Sequence, residues 1–132
     1  MVLCRDRMVP EEAEGCSHGF WKTHPGAWRT YRPEDLVADV FGVPPGLGRP
    51  DTDTLMDALG YHGGNNVDGA ERLVLMQAVA SVLNAVHPDV NYAFTEHEVL
   101  EAVTDAFTSG DRAMLIDLAE TLDQANHLGC GQ

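Results

Sequence analysis

The chain has 132 residues, of which 44 % are hydrophobic and 22 % charged, a composition typical of one folded domain. Asp and Glu number 21 against 8 Lys and Arg, which gives a formal net charge of -13. Because such a surface repels phosphate groups, nucleic acids and anionic membranes are not expected as partners. The longest apolar stretch, residues 73–86, is interrupted by polar side chains and is too short to span a membrane.

Two regions are expected along the chain: a flexible acidic leader over residues 1–15 and a single helical domain over residues 16–132. The leader is polar and charged, and it lacks the apolar segment that a secretory signal contains. The sequence therefore fits either an intracellular protein or an exported protein whose signal has been removed.

Two short helices are expected at the start of the domain. Thr23 is predicted to cap the first, which begins at His24 and places a proline at its favoured first position. The second is predicted over residues 33–41, because its apolar side chains recur on one helical stripe. Gly42 is predicted to end this second helix.

A loop, a third short helix and the longest helix follow. Residues 43–50 contain three prolines and two glycines and are predicted to form a loop. Asp51 or Thr52 is predicted to cap the third helix, which ends at Gly60. Residues 68–87 form the longest predicted helix, and apolar side chains cover most of its circumference, which is typical of a helix surrounded by others.

The last two helices have clear local signals. Thr95 and Glu98 form a T-x-x-E capping box for the fifth helix, and Asp111 is predicted to cap the sixth. No segment shows the sustained alternation of apolar and polar residues that a half-buried strand shows. The expected fold class is all-α, a compact bundle of about five or six helices around a hydrophobic central helix.

The three cysteines allow two interpretations. Cys16 and Cys130 each lie beside a glycine in a terminal segment, so a disulfide between them would close nearly the whole domain. In the chain-entropy model a closed loop of this size stabilises the fold by about 4–5 kcal/mol. The alternative is three free thiols, Cys4 included, in an intracellular protein. No C-x-x-C pair occurs, so a cysteine-based zinc site or a thioredoxin-like site is not expected.

Both tryptophans, Trp21 and Trp28, lie close to Lys22, which is the only lysine of the chain. In one interpretation the aromatic side chains fill one end of the core and Lys22 pairs with a carboxylate. In another, Lys22 is desolvated among the aromatic rings and becomes a nucleophile with a lowered pKa. In a third, the tryptophans, Lys22 and His24 form a binding surface.

Asn84 is a polar residue within the apolar central helix, and a buried amide must find hydrogen-bond partners. Its predicted role is either to attach the N-terminal loop to the central helix or to bind a ligand.

Six histidines raise the question of a metal site, although no H-E-x-x-H motif is present. His87 and His127 end predicted helices, where the helix dipole favours a positive charge, so a structural role suits both. The alternative is a spatial cluster of His24, His87 and His127, joined by His18, which would bind zinc or copper.

Three segments resemble a family of secreted bacterial, archaeal and fungal proteins. Residues 16–25, CSHGFWKTHP, resemble the start of that family, which reads C-T-x-G-[YF]-W-K-x-H. Residues 122–130, LDQANHLGC, resemble its end, L-D-x-x-N-N-x-x-x-C, and residues 83–92, LNAVHPDVNY, also match.

The resemblance implies an extracellular helical domain whose terminal cysteines are paired, and it implies no activity. The chain departs from the family pattern at two positions, where His18 replaces a proline or small residue and His127 replaces the second asparagine. A metal site peculiar to this chain is expected if these two histidines approach His24.

The sequence therefore predicts a small acidic extracellular or cell-surface helical module with a binding or structural role, and an unidentified ligand or protein partner. No cofactor is expected other than a divalent zinc or copper ion. The alternative is a metal-binding protein or metal-dependent enzyme that uses the clustered histidines. A third hypothesis is a small biosynthetic enzyme with Lys22 as its activated amine.

Overall fold

A computed structural model describes residues 13–42, 53–64 and 66–130, and this part of the chain folds as an all-α bundle without β-strands. Its helices are α1 His18–Thr23, a 3-10 helix Pro25–Ala27, α2 Val37–Phe41, α3 Leu55–Leu59, α4 Val67–Val86, α5 Glu96–Ser109 and α6 Arg112–Asn126. The expected fold class is confirmed.

Helix α4 is the centre of the bundle, as predicted. It has 20 residues and packs against α1, α3, α5 and α6. The side chains of Leu75, Val79 and Leu83 have no exposed surface. Because buried side chains point to most sides of α4, the helix is enclosed by its neighbours. None of the helices in the described ranges combines the length and the apolar character that a membrane crossing requires.

The predicted caps of the last two helices are confirmed. The Thr95 amide donates to the Glu98 carboxylate at 2.9 Å, and the Glu98 amide donates to the Thr95 hydroxyl at 3.1 Å. The Asp111 carboxylate accepts a hydrogen bond from the Ala113 amide at 2.8 Å. These short-range bonds satisfy amide groups that have no partner within the helix, which is why the local sequence signal is reliable here.

The first helix differs from the prediction. It begins at His18, and its cap is Ser17, whose hydroxyl accepts a hydrogen bond from the Phe20 amide at 3.3 Å. Thr23 is the last residue of this helix, and its hydroxyl donates back to the Gly19 carbonyl at 3.0 Å. The prediction that Thr23 starts a helix was therefore wrong. The proline that follows starts the short 3-10 helix.

The second helix begins at Val37, which is later than predicted. The Arg32 amide donates to the Asp35 carboxylate at 2.9 Å, which holds the preceding residues in a turn. Leu36 then forms an isolated bridge with Thr54. Gly42 ends the helix in the left-handed conformation with φ 63°, as predicted from its lack of a side chain.

The third helix is capped by Thr54, which forms a capping box with Asp57, so the prediction that Asp51 or Thr52 caps it was wrong. Neither of the two predicted caps, Asp51 and Thr52, lies within the described residues, and the same holds for the predicted loop at 43–50. The end of the helix at Gly60 is confirmed.

The two ends of the domain meet in a short bridge beside a disulfide. Gly15 and Gly129 exchange two backbone hydrogen bonds of 3.0 Å, and Cys16 and Cys130 form a disulfide with their Cα atoms 5.2 Å apart. A Cβ atom at Gly15 would collide with the Ala125 carbonyl group, so only glycine fits this close approach. Residues 1–12 of the predicted leader lie outside the described residues.

Removal of the disulfide is expected to destabilise the domain strongly. The cross-link joins cysteines 114 positions apart, so the chain-entropy model predicts that Cys16→Ser with Cys130→Ser lowers the free energy of unfolding by about 4–5 kcal/mol. Urea unfolding of this variant and of its parent, both with Cys4→Ser to prevent thiol exchange, measures the difference. Equal unfolding midpoints would show that the cross-link adds no stability.

Candidate functional site

Both tryptophans lie in the core. Trp21 has no exposed surface and Trp28 is 7 % exposed. The Trp28 indole donates a hydrogen bond to the Trp21 carbonyl at 3.0 Å, while the Trp21 ring contacts Phe20 and His87. The two indoles therefore hold α1 against the end of α4, and little of either reaches solvent.

Lys22 and His24 are exposed, on the outer side of α1. The His24 ring stacks on Phe20 with centroids 4.2 Å apart, and its Nδ1 lies 2.8 Å from the Phe20 carbonyl oxygen. Because Lys22 is exposed, it lacks the desolvation on which the hypothesis of an activated amine was based.

Asn84 attaches the N-terminal segment to the central helix. Its side-chain oxygen accepts a hydrogen bond from the Cys16 amide at 2.8 Å, and its Nδ2 donates to the Cys16 carbonyl at 2.8 Å. The same Nδ2 also donates to Asn126 at 3.1 Å. Asn84 has no exposed surface, so the structural role expected for it is the one observed.

Asn84 belongs to a buried polar cluster, which we define as Gln77, Ser81, Asn84, Tyr92 and Asn126. The Asn126 Nδ2 donates to the carbonyl and side-chain oxygens of Gln77, at 3.1 and 2.9 Å. Its Oδ1 accepts from Tyr92 at 2.6 Å, Asn84 at 3.1 Å and Ser81 at 3.3 Å. Burial raises the pKa of Tyr92, so its hydroxyl remains a proton donor at neutral pH.

The polar cluster continues to the protein surface through Gln77. Its Nε2 donates to the Asp123 carboxylate at 3.0 Å. The same carboxylate oxygen lies 3.0 Å from His127 Nδ1, one helical turn along α6. A continuous series of hydrogen bonds therefore runs from Cys16, beside the disulfide, to Asp123, whose main-chain oxygen lies 2.8 Å from His127 Nδ1.

A groove of about 520 Å³ opens between α4 and α6 where this series reaches the surface. Its apolar walls and its polar end together consist of His18, Leu73, Met76, Gln77, Ile116, Ala119, Glu120, Asp123 and His127. The apolar residues come from both helices, and two of the polar residues, Gln77 and Asp123, also belong to the hydrogen-bond series. The sequence analysis did not predict this groove, since its walls come from residues far apart in the chain.

His18 lies at the polar end of the groove, with its ring centroid 6.3 Å from that of His127. Burial lowers the pKa of His18, and the charge of His127 lowers it further, while Asp123 acts in the opposite direction. Because the shift is downward from an ordinary value of 6.5, the His18 ring is neutral at neutral pH. Its Nδ1 atom is buried and has no hydrogen-bond partner.

The four histidines predicted as metal ligands do not form one cluster. His18 and His127 are neighbours, whereas His24 stacks on Phe20 and His87 lies against Trp21. Over the described ranges, no three His, Cys, Asp or Glu side chains are placed to hold a metal ion together. His87 is buried, and its Nδ1 accepts a hydrogen bond from the Asp89 amide at 3.1 Å.

Replacement of Asn84 by leucine is expected to lower the free energy of unfolding by about 3 kcal/mol or more, because two buried backbone groups of Cys16 lose their partners. A matched control is Asn66→Ala, which removes the cap of α4 and is expected to cost about 1 kcal/mol. Chemical unfolding measures both. A smaller loss for Asn84→Leu than for the control would contradict the assigned role.

A pH dependence is expected from His18. Since its folded-state pKa is lowered, the unfolded state takes up the proton first as the pH falls below about 6.5. The free energy of unfolding is then unaffected by His18 above this pH. Below it the free energy of unfolding decreases, by at most about 1.4 kcal/mol per pH unit for one proton.

Thermal unfolding of His18→Gln between neutral and mildly acidic pH should show a smaller decrease than the parent. The control is His62→Gln, which removes an exposed histidine. Parallel curves for His18→Gln and the parent would show that His18 does not titrate in this way.

No protein-family model matches the chain, and neither a curated protein nor a solved structure matches it. The resemblance of residues 16–25, 83–92 and 122–130 to a secreted family therefore remains an expectation from motifs.

Proposed function

We propose that this protein is a small acidic module that acts outside the cell or on its surface and binds a small amphiphilic ligand in the α4–α6 groove. The observation that carries the proposal is the groove itself, in which apolar walls lead to a few convergent polar groups. This combination is typical of small-molecule sites, which commonly lie between the helices of a bundle.

The size and walls of the groove support a ligand site. Its volume of about 520 Å³ lies within the usual range for small-molecule pockets, roughly 300–1,000 Å³. Leu73 and Met76 on α4 face Ile116 and Ala119 on α6 across it. The part of these apolar side chains that reaches solvent is released from water when an apolar ligand binds, which favours binding.

The rigid support behind the groove also favours a binding role. Gln77 and Asp123 line it, and both are held by the buried polar cluster or by its extension. Side chains fixed by such a supporting layer lose little conformational entropy when a ligand binds, so ordering them weakens binding less.

The disulfide supports the proposed location, because disulfides persist in oxidising compartments outside the cytosol. Protein isolated from its source cells under alkylating conditions should contain Cys16 and Cys130 in oxidised form. Recovery of both as free thiols would argue against an extracellular location.

A second hollow of about 520 Å³ lies beside α2, but its character is different. Polar and acidic side chains, Glu34, Asp35 and Asp39 among them, form most of its wall. It lacks the broad apolar wall of the α4–α6 groove, so we place the ligand in the groove.

Metal binding is the alternative function, and the close approach of His18 and His127 is the observation that favours it. These two imidazoles would supply only part of the ligand set that zinc usually takes. Isothermal titration of the chelator-treated protein with zinc tests this alternative. Tight binding of one equivalent, lost in His18→Gln, would support it, whereas weak and unsaturable binding would exclude it.

Binding of 1-octanol, an uncharged amphiphile, tests the proposed function. Titration followed by amide NMR should shift signals of α4 and α6 around Leu73 and Ala119. Ala119→Phe is expected to abolish these shifts, since the larger side chain fills the groove. The matched control is Ala113→Phe, on an exposed position of the same helix.

Ile116→Gln provides a second variant should Ala119→Phe fail to fold, because Ile116 is only partly buried and tolerates a polar side chain. We expect about fivefold weaker binding from the loss of apolar contact, which corresponds to about 1 kcal/mol. Saturable binding that both variants leave unchanged would place the ligand elsewhere and refute the proposal.

A further inference from the structure

We propose that the α4–α6 groove selects organic cations, specifically ligands with a primary ammonium group and an aliphatic tail. This inference rests on the proposed binding function and adds the chemical class of the ligand. The ammonium group would lie at the end formed by Glu120 and Asp123, and the tail would lie along the apolar walls.

The charge of the groove supports a cationic ligand. Glu120 and Asp123 line it from neighbouring turns of α6, and no Lys or Arg occurs among the described residues that line it. Residues three apart on a helix lie on the same face, so the two negative charges act on the same region. Such a site attracts an ammonium group and repels a carboxylate.

Asp123 has the geometry to receive an ammonium group. Its Oδ1 accepts from Gln77 Nε2 and lies beside His127 Nδ1, which fixes the carboxylate against the groove wall. An ionised carboxylate offers about four acceptor positions, so these contacts leave capacity for a further donor. The side chain is 51 % exposed, and a ligand can therefore reach it.

His18 does not reverse this charge preference at neutral pH. The neutral His18 ring contributes no positive charge to the polar end. Lys22 also acts on His18, and its influence on that ring is the weakest of the three groups that act on it. Lys22 is exposed on α1 and does not line the groove.

A comparison of three ligands that share one tail tests the inference. Octylammonium, 1-octanol and octanoate are titrated into the full chain at neutral pH and low salt, with amide NMR as the readout. We expect octylammonium to bind about tenfold or more tighter than octanoate, with 1-octanol between them. Added salt should reduce this difference, because exposed charges are screened.

Neutral variants assign the selectivity to the two carboxylates. Asp123→Asn and Glu120→Gln should each weaken octylammonium binding about threefold or more relative to 1-octanol binding by the same variant. Asp117→Asn is the control, since Asp117 lies on α6 but does not line the groove. Glu120 is exposed, so its variant is expected to fold even if Asp123→Asn does not.

The outcomes separate the two proposals. Equal or tighter binding of octanoate, or selectivity unaffected by both groove variants, would overturn the cation preference while 1-octanol binding still supports the groove. Failure of all three ligands to bind would overturn the proposed function together with the preference.

Discussion

The paired hydrogen bonds between Asn84 and the backbone of Cys16 are the interaction on which the rest of the structure depends. They attach the start of the domain to the last turn of its central helix, both at 2.8 Å and between buried groups. The disulfide then joins the same residue to Cys130, so the two ends of the described domain are fixed at one point. This attachment places α1 beside the end of α6, where the rings of His18 and His127 are neighbours.

The buried polar cluster sets how α6 lies against α4. Asn126 contacts Gln77, Ser81 and Asn84, three α4 residues that share one stripe because they are four and three positions apart. A shift of α6 along α4 would leave several buried groups without partners, and each such group costs about 1–3 kcal/mol. The groove lies between the same two helices, so its walls are aligned by these bonds.

Sequence reasoning succeeded where the signal is local or periodic and failed where it depends on distant residues. The central helix follows from one apolar run, and the Thr95 cap from residues three apart. The first helix was misplaced because both Ser17 and Thr23 are good caps, and the helix that begins after Ser17 is the one that buries Trp21. Asn126 was overlooked because its partners lie 34 to 49 positions away.

The groove and the core share the Asp123 carboxylate, and this restricts how a ligand can be recognised. Gln77 uses one oxygen of that group, and a buried amide that lost this partner would destabilise the cluster behind it. A ligand that adds a hydrogen-bond donor preserves the Gln77 contact, whereas one that adds only acceptors competes with the carboxylate for Gln77. The hydrogen-bond pattern of the core therefore favours the same donor-bearing head group as the charge of the groove.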